Sequence, residues 1–270
     1  MTTKHRTAVS FLALFLGSLG LVSAQDRVTI PLTDPSQPVT LSVSVLTGSI
    51  TVKASSAKEV VVEAKVRERD SGGESGGRHR IAINTTGLAV EEEDNHVEIA
   101  VDTSQRAVDL EITVPVRTSM ALRSVNDGDI IVTGVSGELD VENINGSVTL
   151  TDVSGTAVAH ALNGRVLVNF KSITPGKPMA FSSLNGDIEV AFPADLKANV
   201  SINSGGGDVY SDFEISMKTE APKQVEGKRD QRGRYVVKFD KTVRGTIGGG
   251  GPEIQFKNFQ GDITIKKATK

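Results

Sequence analysis

Apolar and polar residues alternate along most of the chain, and from residue 128 the alternation acquires a period of nine. Gly128, Gly137, Gly146, Gly155 and Gly164 are spaced nine apart. Two residues after each glycine stand Ile130, Leu139, Val148, Ala157 and Val166, and four after stand Val132, Val141, Leu150, Ala159 and Val168. Side chains on a strand alternate between its faces, so these two positions share one buried face. The residue between them is polar at Asp140 and Thr149 and apolar at Ile131, Val158 and Leu167. Seven after each glycine, Val135, Ile144, Val153 and Leu162 are expected to return to the interior, a pattern that fails at Lys171. The glycine takes the corner, where a missing Cβ or a positive φ is useful. Each nonapeptide reads as one short strand and one corner.

The corners come in two alternating kinds. Asp127-Gly128, Asn145-Gly146, Asn163-Gly164 and Asn185-Gly186 form one series, and Ser136-Gly137 and Ser154-Gly155 form the other. The structural unit is therefore 18 residues with two strands, lengthening to 22 up to Gly186 and 21 up to Gly207. Pro175-Gly176-Lys177-Pro178 reads as a loop inserted in one coil. Stacked units with matching corners predict an all-β fold, a β-solenoid like a parallel β-helix with about 18–22 residues per coil. Antiparallel hairpins are the alternative, because Asn-Gly also favours two-residue turns. The stacked unit is preferred because it explains the period.

Both flanks depart from the period. Residues 25–115 alternate without it: Leu41, Val43 and Val45; Ile50 and Val52 after Gly48; Val60-Val61-Val62; Ile81-Ala82-Ile83; Val97 to Val101; Leu110 to Val114. This stretch is expected to be a β-rich cap over the open end of a solenoid spanning 116–270, since an uncapped end exposes an unpaired strand edge. Asp70 to Gly77, rich in Ser and Gly, reads as a loop. Residues 218–244 interrupt the repeat and predict a hairpin containing Tyr235-Val236-Val237-Lys238-Phe239. The repeat resumes at Gly261-Asp262-Ile263-Thr264-Ile265.

The N-terminus reads as an address. Lys4, His5 and Arg6 precede an apolar run to Val22, and Val22-Ser23-Ala24 places small residues at a cleavage site, as in a secretory signal peptide over 1–24. The run is short for a membrane span and is interrupted by Gly17 and Gly20. The expected mature chain begins at Gln25, carries no later apolar span and is exported, either to the periplasm or to the cell surface. The full sequence has a net charge of −3 and the expected mature chain, without Lys4 and Arg6, −5, which argues against a dedicated nucleic-acid binder. With no Cys in the sequence there is no disulfide, thiol nucleophile or Cys-based zinc site.

Candidate chemistry is sparse. Nonapeptide repeats can bind calcium, but each unit here has one glycine, and the following position reads Asp129, Glu138, Ser147, Thr156 and Arg165, too few oxygens for a site. His79, His96 and His160 lack zinc-ligand spacing. Ser136 lies in Gly134-Val135-Ser136-Gly137, which misses the second glycine of a nucleophile elbow, and Ser154 repeats it as a corner residue. Gly205-Gly206-Gly207 and Gly248 to Gly251 lack the Lys-Ser or Lys-Thr of a phosphate loop. No metal or cofactor is expected. Arg165 lies one coil before Asp187 in the same column, where the two either pair weakly along the rod or stay solvated. Asp127, Asp129, Asp187, Asp208 and Asp262 sit near corners, where paired acids would serve glycoside cleavage or simply solubility. The basic excess in 218–244, with Lys223, Lys228, Arg229, Arg232 and Arg234 at its centre, is a candidate site for an anionic polymer, although Glu220, Glu226, Asp230 and Asp240 are interleaved.

The run Asp109 to Pro115, the segment Asn126 to Val132, the Ser-Gly and Asn-Gly corners, and the closing Arg244-Gly245-Thr246-Ile247-Gly248-Gly249-Gly250-Gly251-Pro252-Glu253-Ile254 resemble the bacterial β-strand-repeat putative-adhesin family, a domain of unknown function. The resemblance spans about residues 40–265 and implies an exported bacterial β-solenoid, without catalytic residues to carry over. The expected function is a non-enzymatic, adhesin-like or structural protein of the cell envelope, partnered by envelope polysaccharide or another surface protein. The alternative is a polysaccharide-active β-helix enzyme that uses corner carboxylates.

Overall fold

The computed structural model of the chain describes residues 25–67, 86–101, 106–217, 224–229, 235–239 and 242–268. The signal-like segment, the Asp70–Gly77 stretch, the expected strand Ile81–Ile83 and His79 lie outside the described residues. Among the described residues every regular element is a strand, so the fold is all-β as the alternation predicts. In order these are β1 (Gln25–Pro31), β2 (Val39–Thr47), β3 (Ile50–Ser55), β4 (Glu59–Val66), β5 (Leu88–Glu93), β6 (His96–Val101) and β7 (Val108–Pro115). The central strands are β8 (Thr118–Asn126), β9 (Ile130–Thr133), β10 (Ser136–Asn143), β11 (Val148–Ala161), β12 (Val166–Ile173), β13 (Met179–Asn185) and β14 (Ile188–Phe192). There follow β15 (Ala198–Ser204), β16 (Val209–Ser211), β17 (Ser216–Met217), β18 (Gln224–Arg229), β19 (Tyr235–Phe239), β20 (Val243–Ile247), β21 (Glu253–Gln260) and β22 (Ile263–Lys267).

The strands build two ladders. The first runs β5-β6-β2-β8-β10-β11-β13-β21-β15-β20-β17, parallel from β6 to β15. The second runs β1-β4-β7-β3-β9-β11-β12-β14-β22-β16, parallel from β7 to β16. Parallel pairing of the central strands rules out the hairpin alternative there. The ladders face one another: Phe170 and Phe192 of the second stack at 5.4 Å between ring centroids and make edge contacts with Phe181 of the first. The inward positions are the apolar ones of the repeat; Ile130, Val132, Val148, Leu150, Val166 and Val168 are at most 1% exposed. Each such burial contributes about 1.5–3 kcal/mol.

The central register is 18 residues, as in Ile130↔Val148 and Val148↔Val166, and becomes 22 at Val166↔Ile188. At both ends spatial order departs from chain order. The β2–β3 pair, from the stretch expected to cap the stack, lies in parallel between β6–β7 and β8–β9. The β21–β22 pair lies between β13–β14 and β15–β16, pairing Ile263 with Ile188 on one side and with Val209 on the other. Antiparallel strands border both ends: β5, β4 and β1 at one, β20 and β17 at the other.

One expectation needs correction. Val135 and Val153 are buried as the repeat predicts, but Ile144 is half-buried and Leu162 is 43% exposed. The two kinds of corner turn differently, so the apolar seventh position points inward at one and outward at the other.

Candidate functional site

The corner between first and second ladders is built on glycine. Gly48, Gly128, Gly146, Gly164, Gly186, Gly261 and Gly207 stack in that order, each against the backbone of the one before. A Cβ on Gly146 would lie 2.1 Å from the Gly128 carbonyl oxygen, and one on Gly164 2.1 Å from that of Gly146. Close approach, not a positive φ, fixes glycine at these two positions. Inward side chains close the corner from within. Ser124 Oγ donates to the Gly48 carbonyl at 3.0 Å, Asn143 Nδ2 to Gly128 at 2.9 Å, Ser183 Oγ to Gly164 at 2.9 Å and Asn258 Nδ2 to Gly186 at 3.0 Å.

On the outside of that corner the columns are chemically uniform. Asn145 Nδ2 donates to Asn126 Oδ1 at 3.0 Å, Asn163 to Asn145 at 2.9 Å and Asn185 to Asn163 at 2.7 Å. The carboxylates beside the glycines serve as acceptors for the neighbouring coil. Asp129 Oδ1 accepts the Ser147 N–H at 2.7 Å, Asp187 Oδ1 the Asp262 N–H at 3.1 Å, and Asp262 Oδ1 the Asp208 N–H at 2.9 Å. The structure thus brings Asp187, Asp262 and Asp208 onto successive strands and leaves Asp127 and Asp129 further along the stack. Tyr210 Oη lies 3.4 Å from Asp208 Oδ2, and the charges of Asp208 and Asp262 push its pKa up. Arg165 Nε is 3.6 Å from Asp187 Oδ2 with both side chains exposed, so the weak pairing forms.

Arg67 fastens the first coils. Its Nε and Nη2 bond Asp109 at 3.1 and 2.5 Å, and Nη1 reaches the Asp127 carbonyl and carboxylate at 2.9 and 3.0 Å. Burial raises the Asp109 carboxyl, but hydrogen bonds from Arg67 and Ser49 outweigh it and hold the pKa below its ordinary value.

The opposite corner is irregular. The chain crosses it within β11 through a bulge at Asp152 (φ 54°), while other coils use longer turns. A groove of about 810 Å³ results, lined by Ser136, Asp152, Ser154, Asn169, Lys171 and Asp195 among others. Ser136 and Ser154 thus belong to a corner groove. His160 lies on the outer face of β11, its Nδ1 2.5 Å from Ser182 Oγ. Among the described residues no group of three or more His, Cys, Asp or Glu is placed to hold a metal ion. No helix among them is long and apolar enough to cross a membrane.

The expected hairpin forms: β18 and β19 pair antiparallel as a separate two-stranded sheet. Lys228 and Arg229 lie on β18, while Lys223, Arg232 and Arg234 lie outside the described residues.

Sequence reasoning missed an outward apolar column on the first ladder. Leu46, Val125, Ile144, Leu162, Leu184 and Phe259 occupy one register position on consecutive strands, with Leu46, Leu162, Leu184 and Phe259 40–59% exposed. The signal was an apolar residue directly before Asn145, Asn163 and Asn185.

Glycine-lined corners joining two parallel ladders define a two-faced stack of strand pairs. The chain belongs to the Toastrack DUF4097 family, whose model matches residues 3–266. Among solved structures it is similar to a putative cell adhesion protein from Clostridium sporogenes, at 11% identity and a TM-score of 0.38, over 91% of this chain and 99% of that one. It is also similar to a putative adhesin from Bacteroides fragilis, at 13% identity and a TM-score of 0.33, over 90% of this chain and 97% of that one. A search of curated proteins finds no match.

Proposed function

We propose that the chain is an exported, non-enzymatic rod of the bacterial envelope that binds a repeating anionic polymer. The observation that carries this reading is the regularity of its surface. The Asn126–Asn185 column offers the same group on consecutive strands, at the roughly 4.8 Å spacing of a ladder, which suits a ligand that itself repeats. The residues of β1, β4 and β5 act as the cap at the first end, and the 18–22-residue coils as the rod. The hairpin supplies charge: Lys223, Lys228, Arg229, Arg232 and Arg234 attract polyanions, and the signal-like residues 1–24 direct export.

The test is retention of the purified chain on immobilised envelope glycan over a salt series. Retention that weakens as salt rises, and drops when the five basic residues are replaced by serine, is the expected result. Retention unchanged by both salt and replacement contradicts the charge-based contact. Protease treatment of intact cells then places the rod: degradation marks the surface, protection the periplasm.

A second reading has one observation in its favour. Asp187, Asp262 and Asp208 share one column beside the Tyr210 hydroxyl, an arrangement from which a glycan-cleaving enzyme could draw an acid and a base. Turnover of any envelope glycan that is lost in Asp208→Asn and Asp187→Asn supports it; no turnover across a broad panel removes it.

A further inference from the structure

The outer face of the first ladder has the composition of an interface with itself. Its central ridge is the column Leu46–Val125–Ile144–Leu162–Leu184–Phe259, which crosses six neighbouring strands at or just past their ends. Four of these side chains are among the exposed large hydrophobics of the molecule, and Val125 and Ile144 are half-buried between them. A contiguous apolar strip rimmed by polar columns marks a contact surface, unlike singly scattered apolar residues. On one side of the ridge runs the neutral amide column of Asn126, Asn145, Asn163 and Asn185. On the other runs a mixed column of Ser44, Arg123, Glu142, His160, Ser182 and Lys257.

We propose that a second copy of this chain docks on this face, ridge against ridge and antiparallel, about a two-fold axis between Ile144 and Leu162. A two-fold axis lying in the interface and crossing the ridge at right angles keeps each column opposite its own counterpart with the order reversed. Leu46 then meets Phe259 of the second copy, Val125 meets Leu184, and Ile144 meets Leu162. In the mixed column Glu142 meets His160, Arg123 meets Ser182, and Ser44 meets Lys257, so no like charges oppose. The amide column turns with the corner beside the ridge and lies at the rim of this contact, open to the polymer. A parallel arrangement, about an axis running along the ridge, would instead lay the mixed column of each copy over the amide column of the other.

The facing groups are already held in place. Arg123 Nη1 bonds Glu142 at 2.6 Å and His160 Nδ1 lies 2.5 Å from Ser182 Oγ, so little ordering is left to be done on association. The area suffices. Six strands at about 4.8 Å, with roughly 20 Å of strand length across the face, project to about 600 Å² per copy before side-chain relief is added. A stable interface of ordinary size buries about 800 Å² per partner.

Sedimentation velocity of the purified chain tests the association. The expected result is a dimer at micromolar concentration that becomes monomeric in Leu162→Glu and in Leu184→Glu, with the melting temperature of the monomeric variants kept as a control for folding. A monomer for the unaltered chain at high micromolar concentration, or a dimer indifferent to both substitutions, overturns the proposal. Orientation is tested by cysteine pairing, since the chain has no cysteine of its own. A mixture of Leu46→Cys and Phe259→Cys chains should cross-link on mild oxidation, and Leu46→Cys alone should not. Self-linking of Leu46→Cys contradicts the antiparallel arrangement.

Discussion

At the corner that joins the first ladder to the second, seven glycines stack backbone to backbone, and a Cβ on Gly146 would lie 2.1 Å from a carbonyl oxygen. At the opposite corner Gly176 has nothing within 4 Å of where a Cβ would sit. The first corner holds every coil to one shape, because each glycine carbonyl is both packed against the next glycine and, in several coils, bonded by a serine or asparagine from inside. The second takes a bulge in β11, a proline-bearing loop after β12 and a turn after β14. One edge of the stack is therefore locked, and variation collects on the other, where the groove beside Ser136 and Asp152 lies. In a repeat protein this division lets surface chemistry change without disturbing the stacking that holds neighbours together.

Breaking the locked corner should have the largest effect. Gly146→Ala or Gly164→Ala forces a backbone carbonyl to move and should destabilise the chain by about 3 kcal/mol or more. Gly176→Ala, strained only by its φ of +81°, should cost about 1–2 kcal/mol. Thermal melts of the three variants make the comparison, and equal losses would erase the distinction between corners.

The clamp at the first coils comes next. Arg67→Ala should cost about 1–2 kcal/mol, discounted for the partial exposure of its partners. Because the Asp109 pKa is lowered in the folded chain, its contribution is complete above an unfolded value of about 4 and fades as pH falls through the folded value. Asp109→Asn should therefore flatten the acid side of a stability-against-pH curve measured by urea titration.

Asn163→Ala removes one donor and one acceptor from an exposed ladder and should cost about 1 kcal/mol. Arg165→Ala, at an exposed pair 3.6 Å apart, should stay within about 0.5 kcal/mol of the unaltered chain. A drop of several degrees in the melting temperature of Arg165→Ala would show that the outer columns matter more to stability than their exposure allows.

The middle of this molecule was legible because its pairings are local in sequence. Val148 pairs with residues 18 before and 18 after, so the period of the glycines and of the apolar pairs announces the register. The ends were not legible in the same way. Ile263 pairs with Ile188, 75 residues earlier, across the basic hairpin, and nothing in the local pattern of Gly261 to Ile265 selects Ile188 over any other coil. The stretch before residue 115 showed β2 and β3 as strands but hid their partners, because Gly48 carries the corner signal once, without a neighbour to reveal its period. The apolar ridge was visible as residues but not as a surface. Alternation within one strand predicts a face, and only the different geometry of the two corners decides that Ile144 and Leu162 turn outward while Val135 and Val153 turn inward.

The placement of β21–β22 between β13–β14 and β15–β16 departs from chain order across the basic hairpin, and a pair of engineered disulfides tests it directly. Glu189 faces Thr264 across β14 and β22, and Thr264 faces Tyr210 across β22 and β16, so two strand spacings separate Glu189 from Tyr210. In a chain without native cysteine, Glu189→Cys with Thr264→Cys should close an intramolecular disulfide on mild oxidation, and Glu189→Cys with Tyr210→Cys should not. Closure of the second pair and failure of the first would mean that the coils stack in simple chain order and that the last strands lie outside the stack.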